Sequence, residues 1–291
     1  MELRVLNYFL MAAREENITR AAEMLHITQP TLSRQIAQLE DELGVKLFER
    51  GNHNIVLTDD GMLLKRRAQE FMDLAEKTLR DFSRDHELSG VVSVGSGELK
   101  SMQFLSEAIA SFRTKYPCVT FEIYSGDSDH IKERMDRGLL DIGLLLEPVD
   151  IGKYDFVHTG VTEEWNALVS GNSPLAEKDV LTPQDLSGVP LILARRELAK
   201  SHVYKWLGEY ADENNIVANG NLLYNIAVIA KNVSCTVIAV RLDCEYKGLK
   251  YIPLSPKLES GTILVWRKTQ TFSKATQAFI SHLKEMPLRH I

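Results

Sequence analysis

The chain has 291 residues, 44% hydrophobic and 25% charged, which is enough for two or more domains each with its own core. Its 34 lysines and arginines against 40 acids give a net charge of −6, so bulk charge offers no argument for a polyanionic partner. No apolar run is long enough to span a bilayer and no basic leader precedes an apolar stretch, which predicts a soluble cytoplasmic protein with no membrane partner.

Residues 3–15 predict an amphipathic first helix with Leu3, Leu6, Phe9, Leu10 and Ala13 inward. Residues 17–58 then read NITRAAEMLHITQPTLSRQIAQLEDELGVKLFERGNHNIVLT. A short helix places Ala21, Ala22 and Leu25 on one face, and small alanines let a second helix approach closely. Thr28-Gln29-Pro30 is a helix start, a hydroxyl cap followed by Pro in the first turn, where a missing N–H costs little. Leu32, Ile36 and Leu39 point inward at helical spacing. Gln29, Thr31, Ser33, Arg34, Gln35 and Gln38 point outward, with one positive charge and no acid before Glu40. Amides and hydroxyls suit base edges and phosphates, Arg suits guanine or phosphate, and no carboxylate repels a backbone. The pattern predicts a mainly α winged helix-turn-helix, with Thr28–Leu39 as the helix in the major groove of double-stranded DNA. The candidate DNA-binding residues are Arg20, Thr28, Gln29, Pro30, Thr31, Ser33, Arg34, Gln35, Arg50 and His53.

This stretch resembles the LysR-type transcriptional regulators. The matching residues are Phe9, Thr19-Arg20-Ala21-Ala22, Leu25, Ile27-Thr28-Gln29-Pro30, Leu32-Ser33-Arg34-Gln35-Ile36, Leu39-Glu40, Leu43-Gly44, Leu47-Phe48-Glu49-Arg50, Leu57-Thr58 and Gly61. One departure lies in the wing, where His53 stands at a commonly basic position.

After the wing, Thr58 caps a long helix running to about Glu87. Leu64, Ala68, Phe71, Ala75, Leu79 and Phe82 recur on it at spacings of three and four, with charge on the other face. About 30 residues rise about 45 Å, more than one small winged domain covers, so the seam predicts a partner helix. The resemblance implies that this linker helix pairs two subunits, giving a homodimer or a homotetramer built as a dimer of dimers. A two-fold dimer presents two recognition helices, hence an operator that is an interrupted inverted repeat.

Ser89-Gly90 breaks the helix. Strands at 91–95, 119–124 and 142–146 alternate with helices bearing Met102, Leu105, Ile109 and Phe112, then Ile131 and Met135. This argues a parallel sheet with right-handed crossovers. A second such unit follows, with strands at 165–170, 191–194 and 235–240, helices around 203–210 and 222–230, further strands at 251–254 and 262–266, and a last helix over 274–285. The phrase YPCVTFEIYSGDSDHIKERMDRGLLDIGLL follows the same family's pattern. The resemblance implies a two-lobed, periplasmic-binding-protein-like α/β effector domain. The expected division is 1–58 DNA-binding, 59–88 linker and dimerisation, and 89–291 effector-binding, with the second lobe roughly at 162–267. Late in the chain, Lys231-Asn232-Val233-Ser234 replaces the family's Gly-rich turn.

Open α/β folds bind ligands at strand carboxyl ends, against helix N-termini. Those positions hold Ser96, Gly97, Glu98, Leu99, Lys100 and Ser101, then Ser125, Gly126, Asp127 and Ser128, then Arg195, Arg196, Ser201 and His202. Free N–H groups, hydroxyls and cations there suit a small-molecule effector with a carboxylate or phosphate, and Glu98 leaves room for a zwitterion. Ser101, Ser128 and Ser201 read equally as plain helix caps, and Lys100, Arg195 and Arg196 as solvated surface. Cys118, Cys235 and Cys244 lack a framework spacing and read as reduced core thiols, with a Cys235–Cys244 redox pair as the lesser reading. The histidines form no metal-binding spacing, so neither metal nor cofactor is expected. The resemblance implies a transcription regulator controlled by its effector, not an enzyme, with RNA polymerase as a further partner. The alternative is a solute-binding or dehydratase-like protein on the same two-lobed fold. It lacks an export signal and a nucleophile or metal motif, and gives the N-terminal module no role.

Overall fold

The computed structural model describes residues 2–50, 55–81 and 88–287. His53, Phe82 and the expected end of the linker helix at Glu87 lie outside the described residues, as do the side chains of Arg50 and Leu79. The chain divides into two compact units, Met1–Ser83 and Arg84–Ile291.

In the first unit, α1 (Leu3–Glu15), α2 (Ile18–Met24) and α3 (Gln29–Leu43) enclose a core that includes Phe9, Ala21, Ala22, Leu32, Ile36 and Leu39. Leu6 and Ala13 join it, but Leu3 is exposed and Leu10 half-buried, while Val5 and Ala12 are buried. The buried stripe of α1 is centred on Phe9, and Val5 and Ala12 lie one turn to either side of it. The α2–α3 turn puts His26 in the left-handed region at φ 53°, and the Ile27 N–H donates to the Ala22 carbonyl at 3.0 Å.

Helix α3 runs one turn past its expected end at Leu39, and Gly44 at φ 70° closes it. Glu40 explains the extra turn. Its buried carboxylate accepts the Leu47 N–H at 2.8 Å, the Phe48 N–H at 3.3 Å and Lys46 Nζ at 2.8 Å. Burial pushes this carboxyl up, but the Lys46 ammonium and the two N–H groups outweigh burial and hold its pKa below the ordinary 4.5. Strands β1 (Phe48–Arg50) and β2 (Ile55–Leu57) pair antiparallel as the wing. Thr58 caps α4 (Asp59–Asp81) by accepting the Gly61 N–H at 2.9 Å. Gly61 is required there, since an added Cβ would sit 2.1 Å from the Leu47 carbonyl oxygen.

The expected apolar seam of α4 divides. Leu64 and Ala68 pack into the unit's own core, whereas Phe71 is exposed. Leu63 and Leu74, which share a side of the helix with Phe71, are exposed too.

The second unit begins with β3 (Gly90–Ser96), α5 (Met102–Lys115), β4 (Val119–Ser125), α6 (Ser128–Asp136) and β5 (Ile142–Leu146). Next come β6 (Tyr154–Ser170), β7 (Leu191–Ala194), α7 (Glu197–Leu207), β8 (Ile216–Gly220) and α8 (Leu223–Val233). β9 (Thr236–Val240), β10 (Leu249–Pro253), β11 (Glu259–Arg267) and α9 (Lys274–Glu285) complete it. Among the described residues the strand order is β4-β3-β5-β11-β6-β9-β7-β8, with β10 also on β6.

The first lobe is the β4-β3-β5-β11 region with α5 and α9 packed through Leu105, Phe112 and Phe279, and α6 through Ile131 and Met135. The second lobe packs α7 through Val203 and Leu207, and α8 through Ile226 and Ala230. Strand β6 belongs to both lobes: it pairs β11 over Tyr154–Glu164, then β9 and β10 from Trp165 onward. The expectation placed only its last third in a strand and gave 162–267 to the second lobe. Instead β11 pairs β5 and returns to the first lobe's sheet, so the second lobe ends near Leu258, the last residue of its core.

Cys235 is buried, with its thiol pKa pushed up by burial, while Cys118 and Cys244 are exposed rather than core. Among the described residues no helix is long and apolar enough to cross a membrane, and no cluster of three or more His, Cys, Asp or Glu could hold a metal ion.

Candidate recognition surface and interlobe cavity

The first turns of α3 present an open polar surface. Thr28, Gln29, Pro30, Thr31 and Arg34 are exposed, and Ser33 and Gln35 are half-buried. Thr28 has the extended backbone of a cap, but its hydroxyl meets Thr31 Oγ1 at 2.8 Å and no backbone N–H. Gln29 Nε2 donates to Ser33 Oγ at 2.9 Å. Arg34 makes no ion pair among the described residues, whereas Arg20 Nε is held 2.9 Å from Glu15 Oε2. The extra turn of α3 adds exposed Asp41 two turns after Arg34, on the same face. The face that suits a polyanion is therefore the N-terminal part of the helix.

In the second unit a cavity of about 120 Å³ lies between the lobes. Of the residues expected at the strand ends, Gly97, Glu98, Leu99, Gly126, Asp127, Ser128, Arg195 and Arg196 line it. Ser96, Lys100, Ser101, Ser125, Ser201 and His202 do not. Ser96 Oγ turns back to the Gly97 carbonyl at 2.8 Å. Ser201 lies inside α7, which starts at Glu197, so it is not a cap. His202 Nε2 sits 3.2 Å from the Glu259 carbonyl.

The N–H groups expected to be free at α5 are engaged. Glu163, fully buried on β6, accepts the Lys100 N–H at 3.1 Å and the Ser101 N–H at 2.8 Å. Asp127 caps its own helix by accepting the His130 N–H at 3.0 Å. Glu98 reaches across from the first lobe and accepts the Leu223 N–H, at the start of α8, at 2.5 Å. Lys100 Nζ adds a second link between lobes, 3.6 Å from Asp243 Oδ1.

Arg196 also joins the lobes. Its guanidinium donates to the Leu146 carbonyl at 3.0 Å and to the Pro148 carbonyl. Asp129 Oδ1 stands 3.6 Å from its Nε, beyond hydrogen-bond reach. Burial pushes the pKa of this group below the usual arginine range, against the opposing pull of Asp129 and Asp127.

Apart from Asn221 the rest of the wall is apolar, including Leu144, Leu146, Trp165, Leu223, Ile226 and Val240. Sequence reasoning missed these residues, because an apolar residue lining a cavity has the same pattern as one in a core. Gly220 and Asn221 were missed with the short edge strand β8. Gly220 is fixed by packing: an added Cβ would meet Ile226 Cγ2 at 2.2 Å.

Two family models match the chain. Residues 3–62 match the bacterial regulatory helix-turn-helix protein, lysR family, and residues 85–287 match the LysR substrate binding domain. The chain is similar to the uncharacterized HTH-type transcriptional regulator YybE of Bacillus subtilis (strain 168), at 29% identity over 98% of this chain and 100% of that protein. It is also similar to the hca operon transcriptional activator HcaR of Escherichia coli (strain K12), at 27% identity over 98% of each chain. Among solved structures, the LysR family regulator CbnR matches its fold with a TM-score of 0.76 at 21% identity, over 98% of both chains. CbnR in complex with its target DNA matches with a TM-score of 0.74 at 21% identity, over 98% of this chain and 99% of that one. With the helix-turn-helix model over its first unit and the substrate-binding model over its second, the chain belongs to the LysR family of DNA-binding transcriptional regulators.

Proposed function

We propose that the exposed N-terminal turns of α3 read an operator in the major groove, and that an effector bound in the interlobe cavity controls this binding. The observation that carries the reading is a largely apolar cavity bounded by both lobes and bridged by Glu98 and Arg196. A ligand seated there touches both lobes, so it can favour one lobe arrangement over another. Arg34, Gln29 and Thr31 are the leading DNA contacts, with Arg50 and His53 of the wing on the backbone. The effector is a small molecule with a carboxylate or phosphate, and catalysis is not part of the reading. The protein acts in the cytoplasm as a homodimer or a dimer of dimers on an interrupted inverted repeat, and its promoter partner is RNA polymerase. HcaR, an operon activator, and CbnR, seen on its target DNA, support this reading by family.

Pairing of subunits uses the exposed face of α4 around Leu63, Phe71 and Leu74. Charging Phe71 and Leu74 together is expected to yield monomers by light scattering, and an unchanged native mass would exclude this face.

The deciding experiment fills the cavity. Ala194→Phe is expected to abolish the effector's influence on the DNA footprint while leaving effector-free DNA binding intact. A normal effector response in that variant would move the site elsewhere.

A further inference from the structure

The helix N-termini around the cavity are not equivalent. Those of α5, α6 and α8 each already hold one of the chain's own carboxylates, from Glu163, Asp127 and Glu98 respectively. The start of α7 has no side-chain cap. Its first turn carries Ala199 in the cavity wall, and it is preceded by Arg196, which lines the same cavity.

Arg196 is 7% exposed, and its Nε has no hydrogen-bond partner. Its hydrogen-bond acceptors are neutral carbonyls, and its ion-pair partner, Asp129 at 3.6 Å, is largely solvated, with its side chain 59% exposed, so the pairing is weak. A buried cation with incomplete compensation favours an incoming anion. An uncapped helix start beside it adds the attraction of its N–H groups.

From this geometry we infer that the cavity takes a monoanionic acid with a small apolar body, its carboxylate at Arg196 and the start of α7. This rests on the reading of the cavity as the effector site and narrows it. The body is small and apolar: the cavity holds about 120 Å³, close to the ~150 Å³ of an apolar protein cavity that accepts benzene, and Leu144, Leu146, Trp165 and Ile226 stand in its wall. A short branched chain suits that space. A second anionic group finds the remaining helix starts already filled by Glu163, Asp127 and Glu98 and meets only the exposed, solvated Arg195, so dicarboxylates and phosphate dianions are disfavoured. A zwitterion is disfavoured as well, because Glu98, the acid that would meet an ammonium, is engaged with the Leu223 N–H.

The test is calorimetric titration of the full chain with 3-methylbutanoate, its uncharged isostere 3-methylbutanamide, and the dianion glutarate. The expected result is that the acid binds at least tenfold tighter than either the amide or glutarate, and that Arg196→Gln removes the acid-over-amide preference. An amide that binds as tightly as the acid overturns the anion subsite. Glutarate binding as tightly as the acid overturns the single-anion rule. A folded Arg196→Gln variant that keeps the preference removes Arg196 from the subsite. Because that variant also loses contacts to Leu146 and Pro148, its melting temperature is read alongside. If it does not fold, the wild-type comparison of the three probes decides alone. Failure of all three probes to bind overturns the ligand class but leaves the cavity reading to the Ala194→Phe test, so the two ideas fail separately.

Discussion

The first turns of α3 and the interlobe cleft both concentrate polar residues at helix starts, yet they use them differently. On α3 the polar groups bond only to one another, Thr28 with Thr31 and Gln29 with Ser33, and Arg34 stands in solvent without an ion pair among the described residues. In the cleft the acids are bonded to backbone N–H groups and hold the structure itself together. A polar residue that lies open is available to a partner. One that is buried and bonded is part of the scaffold, whatever its position at a strand end suggests.

That contrast can be broken most severely at Glu163. Glu163→Ala should lower the stability of the second unit by about 3 kcal/mol, because one buried and one part-buried N–H lose their carboxylate acceptor. Denaturant unfolding would read this, and a loss below about 0.5 kcal/mol, the scale of ordinary surface changes, would mean that the carboxylate does not hold α5. Glu40 is the scaffold-type acid of the first unit, and Glu40→Ala should cost about 2 kcal/mol by the same reasoning. Its pH dependence sharpens the case. The folded pKa lies below the ordinary 4.5, so the stabilisation is fully present above that value and is lost as pH falls through the lower folded one. Hydrogen exchange at the Leu47 N–H should accelerate in that window; protection unchanged down through it would contradict the assignment.

Arg34 sits on the other side of the contrast. Arg34→Ala should weaken operator binding by about 1–3 kcal/mol and leave the melting temperature unchanged. A loss of stability in place of affinity would make it scaffold. The smallest effect is expected at Ser234, which occupies the left-handed region at φ 56° where α8 ends. Ser234→Gly should stabilise the second lobe by about 0.5–1 kcal/mol, since glycine alone adopts that conformation without a Cβ clash. No gain on melting would show that the strain is relieved by other means.

The sequence's legibility followed burial pattern. α1, β5, β7 and α9 were bounded as expected because their apolar periodicity is regular and their ends carry turn residues. The first part of β6 was not, since Asp155, Glu163 and Glu164 interrupt the alternation, and nothing in the sequence says that Glu163 points at a helix start. Strand β8 opens on Ile216-Val217 but closes on Ala218-Asn219-Gly220, too short a β-branched run to mark a strand. The exposed polar face of α3 was readable because exposed polar residues keep their chemistry in view. The cavity was readable only in its polar half, and the assignment of Arg196 over Lys100 or His202 depended on which cation is buried.

Strand β6 has one more consequence. At about 3.3 Å per residue, its 17 residues form a continuous ribbon through both lobes, hydrogen-bonded to β11 on the way. The lobes are therefore not two shells on a slack cord. They are the ends of one torsion bar, and relative motion between them has to wind or unwind paired strands. The bar has a soft point, because the β6–β11 register slips between Gly261 and Ile263, opposite Thr159. Wringing should localise there, so amide exchange near Thr159 and Thr262 should respond to ligand first. Equal response along the whole length of β6 would mean that the twist has no preferred seat.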